Sequence, residues 1–150
     1  MRGVAIITSD VVIVYLANLM YSEPADDGVS GYRACGLVVR NRVNAGWGDW
    51  IEMIRKHDQY SGTPIDNKPK VLGDPIRDEM FRRCLEIAAN IYSGMEKDIT
   101  KGALRYVRLD KCTEDFANKF IRPTRENPET GATELLFNRV AQIGKQTFLR

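Results

Sequence analysis

Val11-Val12-Ile13-Val14-Tyr15-Leu16-Ala17-Asn18-Leu19-Met20-Tyr21 runs directly into Ser22-Glu23-Pro24. This apolar run is too short for a membrane span, which takes roughly 20 residues. It reads as a buried helix whose start is capped by Ser9 or Asp10. Pro24 disfavours helical backbone at the residue before it, so the helix is expected to stop at Glu23. A carboxyl at the negative end of a helix dipole, beside apolar side chains, has its charged form disfavoured. The expected consequence is a raised pKa and a proton retained at neutral pH, which suits a general acid. The competing reading of the same position is a solvated glutamate at a frayed helix end.

Outward from this stretch, Tyr32, Cys35, Val39 and Val43 repeat at three and four residues and predict a second helix over residues 30–45, ended by Gly46. Asp49 and Glu52 have the spacing of a capping box, opening a short helix through Lys56. Residues 57–73 are rich in Gly, Pro, Asn and Asp and read as a long loop, a kind of segment that is often functional. Asp74-Pro75 reads as the cap and first residue of a helix carrying the stripe Ile76, Met80, Cys84, Ile87, Ala88 and Ile91, with Gly94 closing it. Beyond Asp98 the character changes. Residues 103–109 suggest a short strand with Leu104 and Tyr106 on one side and Arg105 on the other. Residues 114–120 suit one or two helical turns, residues 122–133 a loop or hairpin turn, and residues 135–140 with 146–149 two more short strands. The sum is one α+β domain over residues 1–150, mainly helical, with a small antiparallel sheet or hairpin.

Several segments taken in order carry a resemblance: Glu23 at the end of the first helix, Val39-Arg40-Asn41-Arg42-Val43 in the second, Gln59-Tyr60-Ser61, Gly102-Ala103-Leu104-Arg105-Tyr106, and Ile143-Gly144-Lys145-Gln146-Thr147-Phe148. Their order and spacing resemble the catalytic domain of SleB-type cell-wall hydrolases, the spore-cortex-lytic enzyme family, from about Val12 to Leu149. The sequence departs from the family pattern at three positions. Gln146 stands where the family has a histidine, Leu149 where it has a closing aromatic, and Tyr60 where it has phenylalanine. The resemblance implies a lysozyme-like or transglycosylase-like fold and a peptidoglycan-degrading glycosidase. It also implies Glu23 as the catalytic residue and Gln59, Tyr60, Ser61, Tyr106 and Gln146 as substrate contacts, with glycan strands of peptidoglycan as partner and no cofactor.

Most glycosidases pair their acid with a second carboxylate about 5 Å or about 6.5–9.5 Å away. The sequence offers no evident one. Asp26 and Asp27 follow Glu23 closely and read as caps of the next helix or solvent-facing groups, while the placement of Glu129 and Glu134 is left open. The chemistry implied by the resemblance needs a single carboxylate. Glu23 protonates the leaving oxygen and then takes the proton of the muramyl 6-hydroxyl, yielding a 1,6-anhydro sugar. Hydrolysis by water stays an alternative, as does a catalytically degenerate relative that binds cell wall or forms part of a virion, which the Gln146 replacement favours. A chance likeness in a small helical interaction domain is a third reading.

A composition of 43% apolar and 28% charged residues is that of an ordinary globular protein. A net charge of +2 gives no case for nucleic acid. Cys35, Cys84 and Cys112 cannot all pair within one chain and none stands in a CxxC spacing, so free, largely buried thiols are expected. A zinc site is not expected from one histidine and no close cysteine pair. His57 is expected on a surface turn, and Trp47 and Trp50 in the core rather than as sugar-stacking platforms. The apolar residues before Thr8-Ser9-Asp10 lack the form of a secretory signal. Action at the bacterial cell wall would then need delivery by phage lysis machinery, by a virion or by partner-dependent export.

Overall fold

A computed structural model describes residues 9–22, 28–57 and 73–150. The fold is α+β, about 49% helical, with five α-helices and a small antiparallel sheet among the described residues. The helices are α1 (Ser9–Ser22), α2 (Gly28–Asn44), α3 (Trp50–Arg55), α4 (Glu79–Tyr92) and α5 (Glu114–Phe116). The strands are β1 (Arg105–Val107), β2 (Thr124–Glu126), β3 (Thr133–Leu135), β4 (Arg139–Ile143) and β5 (Gln146–Leu149).

The apolar run does form a helix, but α1 is buried along one side only. Val12, Leu16, Ala17, Leu19 and Met20 are buried, whereas Val11, Val14 and Tyr15 are each 40–45% exposed. Ser9 and Asp10 lie inside the first turn rather than ahead of it, where Asp10 still complements the positive helix end. The central element is α2, buried continuously from Ala34 to Val39. Its Cys35 and Val39 join Leu16, Met20, Cys84 and Ile91 in a helical core, while Ala34 and Val38, one turn apart, join Ala103, Tyr106 and Phe148 of the sheet side. One helix thereby cements both halves. Full burial of each large apolar side chain in these clusters is worth about 1.5–3 kcal/mol. Gly36 makes the close approach possible, since a Cβ there would sit 2.6 Å from Ile91 Cδ1 and 2.9 Å from Met20 Sδ.

The capping box forms as its spacing predicts, with Asp49 accepting from the Glu52 N–H at 2.8 Å and Glu52 Oε1 accepting from the Asp49 N–H at 3.3 Å. Asp74-Pro75 does not open α4. The Arg77 N–H reaches the Asp74 carbonyl at 3.2 Å, closing a turn with Pro75 at its second position, and the helix starts only after Asp78, whose carboxylate accepts from Phe81 N–H. Asp followed by Pro suits a β-turn as well as a helix start. Ile76 consequently leaves the stripe and is 92% exposed, while Cys84, Ile87, Ala88 and Ile91 are buried as expected, with Phe81 added.

In the sheet, the order is β1-β5-β4, all antiparallel, with the last strand in the centre; β2 and β3 form a separate hairpin. Residues 105–107 form the short strand expected within 103–109, and both of its faces are covered. Tyr106 and Val107 are both buried, Tyr106 against α2 and Val107 against Phe116 and Leu149. That second layer exists because α5, capped by Thr113, runs into a π-helical turn over Ala117–Ile121 that folds onto the far side of the sheet.

Candidate active site

The described part of α1 finishes at Ser22, immediately before Glu23 in the chain. Tyr21 ties this end to the start of α4: its phenol donates a short hydrogen bond to Asp78, and its ring meets Phe81 edge-on at 5.3 Å. The hydrogen bond to Asp78, with burial and the carboxylate's charge, raises the Tyr21 phenol pKa above its ordinary value. Donation by Tyr21 and by Phe81 N–H holds Asp78 below the usual carboxylate range. Burial, followed by the neighbouring Cys84 and Asp78, raises Tyr32 on the facing turn of α2. The helix end that precedes Glu23 is therefore fixed by packing and by a phenol–carboxylate contact. Glu23 itself, Gln59, Tyr60 and Ser61 lie outside the described residues, as do Asp26 and Asp27.

Tyr106 and Gln146 are both described. Tyr106 faces Phe148 in the register of β1 with β5, their rings 5.3 Å apart, and Gln146 lies two residues from Phe148 and so on the same sheet face. This face is the one turned to α2. The Gln146 Oε1 is buried and meets no hydrogen-bond donor among the described residues. Glu129 is exposed on the β2–β3 hairpin, and Glu134 pairs with Arg125 at 2.8 Å. Neither approaches the Tyr106 face through any described contact.

His57 is not on a surface turn. It is fully buried, with Nε2 2.6 Å from the Tyr106 hydroxyl and 3.8 Å from Cys35 Sγ, and Nδ1 3.3 Å from Arg42 Nη1. Arg42 is also fully buried, and its Nε donates to the Leu104 carbonyl at 2.7 Å. Its position was readable from sequence in one respect: three residues beyond Val39 and seven beyond Cys35, it falls on the core face of α2. For His57 no such signal exists, because its partners come from distant points in the chain.

The Val39–Val43 motif acquires a physical role here. Arg40 Nη1 donates to the Glu96 carbonyl at 2.9 Å, Asn41 Nδ2 to the Ala103 carbonyl at 2.9 Å, and Arg42 to Leu104. Three successive side chains thus grip the backbone leading into β1 and set where Tyr106 stands. Asp98 closes the same loop. Burial alone would raise its carboxyl, but the Thr100 hydroxyl, the N–H groups of Thr100 and Gly102, and the Asn41 amide together hold it below the usual range.

Trp47 and Trp50 pack against the helical core, Trp50 on Tyr92 at 5.2 Å, and the Arg105 guanidinium lies over Trp47 and Phe120 at 4.9 and 4.1 Å. Cys35, Cys84 and Cys112 form no disulfide with one another. Among the described residues, no helix is long and apolar enough to cross a membrane, and no cluster of three or more His, Cys, Asp or Glu could hold a metal. The chain matches no family model, no curated protein and no solved structure.

Proposed function

We propose that this chain is a peptidoglycan-degrading glycosidase of SleB type with a lysozyme-like fold, acting as a lytic transglycosylase on the MurNAc–GlcNAc bond. Glu23 protonates the bridging oxygen, then accepts the proton of the muramyl 6-hydroxyl as that oxygen closes on the anomeric carbon. Tyr106 orients Glu23 or meets an N-acetyl group, and Gln59, Tyr60, Ser61 and Gln146 contact the glycan. The observation that carries the reading is the construction around Tyr106. The motif that resembles the family's Val-x-Asn-Arg-Val grips the backbone of a second family-like segment and places its tyrosine on a polar cluster at the core. A buried phenol, histidine and arginine cost free energy to assemble unless they satisfy one another, as these do. The site of action is the bacterial cell wall, reached by phage lysis machinery, a virion or partner-dependent export.

The test is Glu23→Gln. It should fold as the parent does, by circular dichroism and melting temperature, and lose the ability to clear suspensions of purified cell walls. Clearing at the parent rate would remove Glu23 from its role. The second reading, a degenerate relative that binds wall or serves a virion, is favoured by glutamine in place of the family histidine at position 146. Under that reading the parent protein sediments with walls and never clears them.

A further inference from the structure

We infer that His57, oriented by Arg42, is a positioning residue that holds the Tyr106 phenol with its hydrogen pointing away from the histidine, as a donor of fixed direction. The inference rests on the proposed glycosidase reading for its catalytic consequence, though not for its geometry. A guanidinium has only donors. Arg42 Nη1, 3.3 Å from His57 Nδ1, therefore requires that nitrogen to be an acceptor. An imidazole that accepts at Nδ1 carries its hydrogen on Nε2. Nε2 in turn lies 2.6 Å from the Tyr106 oxygen, with Cys35 Sγ a weaker neighbour at 3.8 Å. The phenol oxygen must accept there, so its own hydrogen is directed to another acceptor. Polarity thus passes from Arg42 through His57 to Tyr106.

The lock is rigid as well as polar. Arg42 is pinned by its Nε bond to the Leu104 carbonyl, two residues before Tyr106 in the chain. The His57 and Tyr106 rings lie 5.5 Å apart, and the Phe148 ring lies 5.3 Å from that of Tyr106. A donor held this way presents its hydrogen in one direction, to a carboxylate or to an acetyl oxygen of the glycan. A phenol with no fixed neighbour would turn between donating and accepting, and small misplacements in such sites cost up to about a hundredfold in rate.

His57 is the single histidine of the chain, so its ring can be read without assignment ambiguity. In a long-range proton–nitrogen spectrum of the 15N-labelled full chain at neutral pH, Nε2 should be protonated and Nδ1 bare. A ring protonated at Nδ1, or at both nitrogens, overturns the inference whatever the activity. In wall-clearing kinetics, His57→Gln, whose amide can still donate to the phenol, should stay within about threefold of the parent. His57→Leu should lose about tenfold or more in kcat with KM little changed, while keeping the parent circular dichroism. A folded His57→Leu protein with parent kcat overturns the positioning role. Should His57→Leu fail to fold, loss of kcat in His57→Gln equal to that of Tyr106→Phe would do the same. An inactive parent protein with the expected tautomer would sink the glycosidase reading and the catalytic role together, while leaving the hydrogen-bond polarity standing.

Discussion

Asp98 accepts four hydrogen bonds, from Thr100 Oγ1 at 2.6 Å, Thr100 N–H and Gly102 N–H at 2.9 Å, and Asn41 Nδ2 at 3.0 Å. Its folded-state pKa lies below the unfolded value of about 3.9. A carboxyl shifted in that direction contributes stability that is fully present above the unfolded value and is lost as pH falls through the folded one. Acid should therefore weaken the grip on the backbone before β1 only below about pH 4. Replacing Asp98 with Asn turns one acceptor oxygen into a donor facing other donors. We expect Asp98→Asn to lose about 1–2 kcal/mol at neutral pH, the lower end reflecting the group's partial exposure. Its urea-unfolding free energy should also flatten below about pH 4, relative to the parent. An unchanged acid limb would show that Asp98 is not the titrating lock. The residue scale is also where sequence reading reached least. Tyr106 stood out by its motif, but its contact with His57 spans 49 positions and leaves no periodic trace. The neighbouring Arg42 did leave one, on the core face of α2, and a charged residue on an apolar stripe is a sign of a buried network.

Elements were read more faithfully, for a reason visible in α4. Cys84, Ile87, Ala88 and Ile91 are buried because only a helix of that phase brings them to one face, and the pattern is local. Where α4 begins was not local in that sense, since Asp74-Pro75 and Asp78-Glu79 are both acceptable starts and the turn at 74–77 decides between them. At Gly36 the sequence shows only a helix-weakening residue, while the structure shows its use at the contact of α2 with Met20 and Ile91, both fully buried. Gly36→Ala gains up to about 1 kcal/mol of helix propensity. It also drives a methyl into two side chains that have little room to yield, at a cost of about 1–3 kcal/mol. Net destabilisation of about 1–2 kcal/mol is expected in thermal or urea unfolding. A more stable variant would mean that the three helices are less tightly joined than the distances indicate.

Across the whole molecule, the α+β class followed from a change of pattern after Asp98, where helical stripes give way to short alternating runs. The two-sided burial of β1 escaped that reading because the layer of α5 and its π-helical turn is set by tertiary packing. Cooperativity has a direct reporter in the thiols. Cys35 and Cys84 are buried, the latter with its thiol pushed up to about 11 by burial, whereas Cys112 is partly exposed. Native protein should release one fast-reacting thiol to a disulfide reagent, with Cys35 and Cys84 reacting only at the rate of unfolding. Three equally fast thiols would contradict the helical core described above.

Mass spectrometry of the soluble fragments from purified cell walls asks the central question most directly. The account predicts muropeptides ending in 1,6-anhydro-MurNAc from the parent protein and none from Glu23→Gln. Fragments with reducing ends, or the same fragments from both proteins, would contradict it.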